Sequence, residues 1–181
     1  PGGQARTRGP TLHCACVYTC RTMTIWLKAL LMLSTVSVLM AAQLADKKSI
    51  TLDIAKQMAA AAEKAAAANK WTMVISILDD GGNLVYLSKM DDTQIGSIEV
   101  AQAKGRSAVA FKRPTKAFED AVAGGRTAVL RLPGAVPIEG GLPIIVDGKV
   151  IGAIGVSGGT SPQDGEVAKA AVDALPHILG K

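Results

Sequence analysis

The stretch from Pro137 to Gly165, PIEGGLPIIVDGKVIGAIGVSGGTSPQDG, constrains the fold more than any other part of this chain. Its two apolar runs, Leu142 to Val146 and Val150 to Val156, flank Asp147-Gly148, a dipeptide that supplies the positive φ angles of a two-residue hairpin turn. The spacing predicts a β-hairpin. Gly158-Gly159 allows a sharp turn, after which Ser161-Pro162-Gln163-Asp164 offers a capping hydroxyl, a proline at the first helical position and a first-turn carboxylate. A helix is expected from about Pro162 to Leu175, with Val167, Ala170, Ala171 and Ala174 inward and Pro176 ending it. A glycine-lined hairpin that feeds a helix N-terminus leaves backbone N–H groups around a concavity suited to a carboxylate or another anion.

The preceding segments read consistently with this hairpin. Thr51 caps a helix ending near Asn69, with Leu52, Ala55, Met58, Ala59 and Ala62 at helical spacing. Trp71 to Leu78 and Leu84 to Met90 read as strands joined through Asp79-Asp80-Gly81-Gly82. The paired acids invite an acid–base or metal reading, but an aspartate before Gly-Gly is turn chemistry. A second helix opens at Ser97 or an earlier residue and runs through Phe111, with Ile98, Ala101, Val109 and Ala110 as candidate core positions. Lys104 and Arg106 lie two residues apart on it and so do not share a face. Thr115 caps a short helix through Ala123, and Arg126 to Leu132 is ambiguous between helical turn and strand. Two-residue loops join only antiparallel strands, so the order of elements predicts an α+β domain over residues 46–178.

Twenty Lys and Arg residues against 15 Asp and Glu give a net charge of +5. Arg6, Arg8, Arg21 and Lys28 all precede residue 43, where there is no acidic residue, and without them 16 basic residues face 15 acidic ones, or +1. The globular part therefore lacks the electrostatic footprint of a nucleic-acid binder, and aromatic residues at 3% leave little for base stacking. Met23 opens a segment with one lysine, an apolar run from Ala29 to Ala42 and small residues beyond it. This is the layout of a signal peptide over residues 23–42, cleaved after Ala42 or Ala45, which predicts a periplasmic or secreted protein with no stable membrane span after processing. Residues 1–22 precede a plausible initiator methionine and read as a mis-assigned start or a non-native leader. All three cysteines, Cys14, Cys16 and Cys20, fall there beside His13, in a spacing that fits no common zinc pattern. His177 is the only histidine of the remaining chain.

The sequence carries no dinucleotide-binding glycine fingerprint, no phosphate-binding P-loop and no HExxH. The run Gly155-Val156-Ser157-Gly158-Gly159 has the Gly-x-Ser-x-Gly spacing, but with no second histidine to stand by as base, serine hydrolase chemistry is not expected. Asp79-Asp80-Gly81-Gly82, Pro137-Ile138-Glu139-Gly140-Gly141-Leu142-Pro143, Gly152-Ala153-Ile154-Gly155-Val156-Ser157-Gly158 and Gln163-Asp164, in this order and spacing, resemble the GlcG/HbpS-type haem-binding family, also called haem-degrading-domain-like. The resemblance spans Ser49 to Leu175. It implies one domain with an antiparallel sheet of about five strands flanked by helices, commonly assembled into homo-oligomers. It also implies a small-molecule ligand, with haem first and a corrinoid ranked behind it.

Haem iron takes His, Cys, Met or Tyr, and the chain beyond the leader offers His177, Tyr86, Met58, Met73 and Met90. His177 is the metal candidate, although a histidine there also suits the last carbonyls of a helix. Propionate contacts would come from Lys104, Arg106 or Arg113, with Thr115 as a weak oxygen ligand. The pocket would be built from Gly140, Gly141, Gly155, Ser157 and Gly158. A second reading is an enzyme or accessory protein for a small hydroxy or keto acid, with Glu139 or Asp164 as general base and Arg106 or Arg113 holding the carboxylate. Glu139 equally suits a structural role, capping the amides beside Gly140-Gly141.

Overall fold

The structure is a computed structural model that describes Gly2 and residues 44–181. The expected signal segment at 23–42, and the cysteines and His13 of the leader, lie outside the described residues. No helix among the described residues is long and apolar enough to cross a membrane.

Helix α1 (Leu52–Ala68) begins at Thr51, whose hydroxyl accepts the Ile54 N–H, and buries Ala55, Met58, Ala59, Ala62 and Ala66. The small side chains at these positions let it lie close to its neighbours. Strands β1 (Val74–Asp79) and β2 (Leu84–Lys89) follow as a hairpin. Asp79 shapes its turn, because one carboxylate oxygen accepts the N–H groups of Gly81 and Asn83. Turn chemistry, rather than a metal or acid–base pair, thus accounts for this aspartate.

Helix α2 (Ser97–Phe111) starts at Ser97, with no earlier residue, and ends at Phe111 as expected, but it buries Ala108 and leaves Ala110 exposed. Helix α3 (Lys116–Ala123) is followed by a 3-10 turn at Thr127–Arg131, which resolves that ambiguous run as helical. Strands β3 (Gly141–Val146) and β4 (Lys149–Ser157) form the second hairpin. Both turn residues, Asp147 at φ 50° and Gly148 at φ 73°, take the left-handed conformation that a tight two-residue turn requires.

Helix α4 (Ser161–Ile178) differs from expectation at both ends. Thr160, not Ser161, is the N-cap, and its backbone N–H donates to Gln163 Oε1 at 2.9 Å. Pro176 does not end the helix. Its missing N–H costs one bond near the C-terminus, while its own carbonyl accepts from Lys181 N at 2.9 Å.

The domain is α+β, with one antiparallel sheet in the order β2-β1-β4-β3, four strands among the described residues rather than about five. Strand alternation sorts side chains to two faces. Ile75, Ile77, Ile154 and Val156 meet the alanines of α1 and Val167, Ala168 and Ala171 of α4. Helix α2 covers the other face, where Leu78, Ala153 and Gly155 point. It sits so close to β4 that a side chain on Gly155 would lie 2.6 Å from Gly105 N and collide with the Ala101 carbonyl oxygen. Glycines at 105 and 155 are therefore a packing requirement.

Candidate functional site

The close packing of α2 on β4 directs Lys104 inward. Its side chain is 1% exposed, and its ammonium donates to Asp164 Oδ2 at 2.6 Å and to the Val156 carbonyl at 3.1 Å. Asp164, in the first turn of α4, is equally enclosed, and its other oxygen accepts the Gly159 N–H at 3.0 Å. Burial pushes the Asp164 carboxyl above its ordinary value, against the downward pull of the Lys104 ammonium and the Gly159 amide. The anion at the start of α4 is thus the chain's own carboxylate. Sequence reasoning had placed Lys104 among ligand contacts, and the structure turns it into the core, with its charge matched internally.

Glycines 140 and 141 close over this pair. Gly140, at φ 121°, leaves only enough space that an added Cβ would be 2.6 Å from the Val156 carbonyl oxygen and 2.9 Å from Lys104 Nζ. Gly141 is locked to Thr115 from both sides: its N–H donates to Thr115 Oγ1 at 2.9 Å, and its carbonyl accepts the Thr115 N–H at 3.0 Å. Thr115 is the N-cap residue of α3 as expected, but its side chain makes no cap bond, and because it is fully buried an approach to an external iron is not open to it here.

The outer side of the same glycines forms one wall of a cleft of about 400 Å³. Pro114, Leu142 and Val172 line it with apolar surface, while Lys116, Glu139, Lys169 and Asp173 supply charge. Glu139 is drawn into the wall because Gly165 on α4 has no side chain to displace it. It remains 20% exposed, and Lys116 Nζ lies 3.8 Å from Oε2. Its backbone N–H donates to the Glu119 carboxylate. The Asp120 carboxylate holds the Lys116 ammonium above its usual value, with a smaller contribution from Glu139. Lys169 pairs with Asp173 one helical turn further on.

The structure therefore brings Lys104, Thr115, Glu139, Gly140, Gly141, Gly155 and Asp164 into one cluster, in which Glu139, Gly140 and Gly141 face the cleft. Ser157 is buried beside them, its hydroxyl donating to Ser97 Oγ at 3.2 Å. Gly158 leads away toward Thr72 and Met73. Arg106 and Arg113 are exposed and do not line the cleft: Arg106 donates to Gln102 Oε1 at 3.0 Å, and Arg113 to the Phe111 carbonyl at 3.3 Å while lying 5.6 Å from the Phe118 ring centre. His177 sits exposed in the last turn of α4, and no three His, Cys, Asp or Glu side chains group as a metal site among the described residues. Sequence reasoning missed Lys116 and Lys169. The latter was within reach, since Gly165, Lys169, Val172 and Asp173 recur at the spacing of one helical face.

The family model described as "Haem degrading protein HbpS-like" matches residues 50–173. The chain belongs to this HbpS-like family. Protein GlcG of Escherichia coli strain K12 is 43% identical over 111 residues, covering 61% of this chain and 83% of GlcG. Among solved structures, the Klebsiella pneumoniae protein ORFY superposes with a TM-score of 0.69 at 37% identity, covering 76% of this chain and 97% of that one. A structure titled as a PduOC:haem complex superposes with a TM-score of 0.63 at 30% identity, covering 70% of this chain and 94% of that one. The HbpS-like match spans all the strands and the whole cleft wall described above.

Proposed function

We propose that this HbpS-like chain binds haem, or a closely related tetrapyrrole, in the cleft between the Glu139–Leu142 segment and α4. The observation that carries this reading is the apolar wall of Pro114, Leu142 and Val172 set between two exposed lysines, Lys116 and Lys169, whose ammonium groups a ligand's acids would share with Asp120 and Asp173. A flat amphipathic dicarboxylate needs that arrangement: apolar contact for the ring and cations for its acids. The haem complex of the PduOC relative supports it.

The lining residues suit the ring edge and the propionates. None of them is a His, Cys, Met or Tyr, the usual ligands of haem iron. The reading is therefore one of binding, with no redox step assigned to the chain. A corrinoid ranks behind haem, because the haem complex of the PduOC relative speaks for haem directly. The signal-peptide layout of residues 23–42 supports action outside the cytoplasm, and the resemblance supports a homo-oligomer; cell fractionation and sedimentation test the two.

A haem titration followed at the Soret band tests the reading, using the chain with Cys14, Cys16 and Cys20 replaced by serine so that no leader thiol reaches the iron. Saturable binding with a high-spin spectrum is expected, weakened at least tenfold when Lys116 and Lys169 are both changed to glutamate. A broad, non-saturating spectrum unaffected by that change rules haem out.

A second reading draws on Glu139, whose carboxylate enters the same cleft beside Lys116. In it Lys116, rather than Arg106 or Arg113, holds the carboxylate of a small hydroxy or keto acid and Glu139 takes the proton. Glu139→Gln would then abolish turnover and leave the urea midpoint unchanged, whereas equal loss of stability supports a purely structural glutamate.

A further inference from the structure

Two surface stretches carry opposite charge beside large apolar side chains that the described residues leave uncovered. From Asp91 to Ala103 there is no basic residue, and Asp91, Asp92 and Glu99 are all exposed. Ile95 is 81% and Val100 37% exposed among them. Gly96 already has helical backbone angles and the Ile98 N–H donates to the Ile95 carbonyl at 3.1 Å, so Ile95 and Glu99 sit one helical turn apart on the same side. From Ala121 to Ile138 there is no acidic residue, and every residue from Ala123 to Gly134 is exposed except Val129. This stretch presents Arg126 and Arg131 beside Leu130 at 58% and Leu132 at 43% exposure. None of Asp91, Asp92, Glu99, Arg126 and Arg131 enters an ion pair among the described residues. Apolar side chains grouped in water and rimmed by charge of one sign mark a surface that a partner covers.

We propose that the Arg126–Leu132 stretch of one copy of this chain docks on the Asp91–Val100 stretch of another, leucines against Ile95 and Val100 and arginines against the acids. Charge complementarity selects the occupant. The same molecule carries both halves of the contact, so a second copy meets the apolar and the electrostatic demand of each stretch at once. Within one chain the two halves lie apart. Residues 91–96 leave edge strand β2, residues 126–140 lead into the opposite edge strand β3, and the three strand spacings between those edges amount to about 14 Å. Helix α2 packs on the strands between them. None of these residues lines the cleft, so the contact leaves the ligand site open. The proposal rests on the homo-oligomer reading and names the surface that would build it.

Sedimentation velocity tests it, on the full chain with Cys14, Cys16 and Cys20 replaced by serine so that no disulfide links copies. The parent is expected to assemble. One variant carries Arg126→Glu and Arg131→Glu, the other Asp91→Lys and Glu99→Lys; each alone sets like charges against each other and should weaken association at least about a hundredfold. Mixed in equal amounts, the two variants should assemble again, because the acidic 126–132 stretch of one meets the basic 91–100 stretch of the other while their unchanged stretches still match. Ile95→Ser leaves the charges alone and should weaken association at least about tenfold through lost apolar burial. All of the changed side chains are exposed, so the circular dichroism of every variant should match the parent's. A parent that sediments as a monomer overturns the homo-oligomer reading and the docking together. An assembled parent whose reversed variants assemble equally well, or whose variants fail to recover on mixing, overturns this surface and leaves the homo-oligomer standing.

Discussion

Replacing Lys104 by methionine keeps most of the volume and removes only the charge, so it isolates the buried ion pair. At 2.6 Å from Asp164 Oδ2, the Coulomb attraction is about 6 kcal/mol at an effective dielectric constant of about 20. The desolvation of both groups offsets most of that gain, so the pair itself contributes little net stability. Breaking it is another matter. The variant leaves Asp164 buried with the Gly159 N–H as its described partner, and an uncompensated charge of this kind costs about 3–5 kcal/mol. Against a total of about 5–15 kcal/mol for a domain, that loss moves a urea midpoint down by about 2 M.

The assay is urea unfolding of the parent, Lys104→Met, Asp164→Asn and the double variant. The double variant should be more stable than the sum of the single losses predicts, by about 2–3 kcal/mol, because no charge is left unpaired. Losing the ammonium also raises the Asp164 carboxyl further. A folded-state value above the unfolded one makes stability greatest at low pH and lost as pH rises, so the deficit of Lys104→Met should shrink from pH 7 to pH 5. Single losses below about 1 kcal/mol, or losses that simply add, would refute the view that these two charges are held as a buried couple.

Other expectations follow from the same packing. Gly155→Ala places a methyl group against the Ala101 carbonyl and Gly105 N, and should cost more than about 3 kcal/mol or abolish soluble expression, whereas Gly148→Ala at the exposed turn should cost about 1 kcal/mol by urea midpoint. Thr115→Val removes the acceptor for the buried Gly141 N–H and should lose about 1–3 kcal/mol together with the shape of the cleft, read as weaker haem binding. Hydrogen bonds from the Asn83 side chain and backbone, and from Gly81, hold the Asp79 carboxyl below its ordinary value. Its contribution to stability is therefore present above the ordinary aspartate range and fades as pH falls through the lowered value. Asp79→Asn should flatten the acid limb of a melting-temperature profile between pH 5 and pH 2, and an unchanged limb would show that the turn does not depend on the charge.

Local chemistry determined most of the elements. The helix bounds at Leu52–Ala68 and Ser97–Phe111, both hairpin turns and the antiparallel α+β class were legible, because alternation, helical spacing and Asp-Gly or Gly-Gly turns act over a few residues. The N-cap at Thr160 and the helix running through Pro176 were not, since each depends on which neighbouring residue wins a competition for the same bond. The resemblance carried by the glycine strings pointed to the family, and those strings mark where α2, β4 and the Glu139–Gly141 segment must touch.

The destination of the charges was settled by tertiary structure alone. Lys104 and Arg106 are both basic residues on one helix, two positions apart, and nothing local says that one enters the core while the other stays in solvent. Lys104 turns inward because Asp164, 60 residues later, arrives opposite it once the sheet brings β4 beneath α2. Lys116 and Lys169 come to one cleft by the same route, from helices separated by the whole second hairpin. Sequence spacing specifies a face of a helix, and only the assembled sheet decides what that face meets.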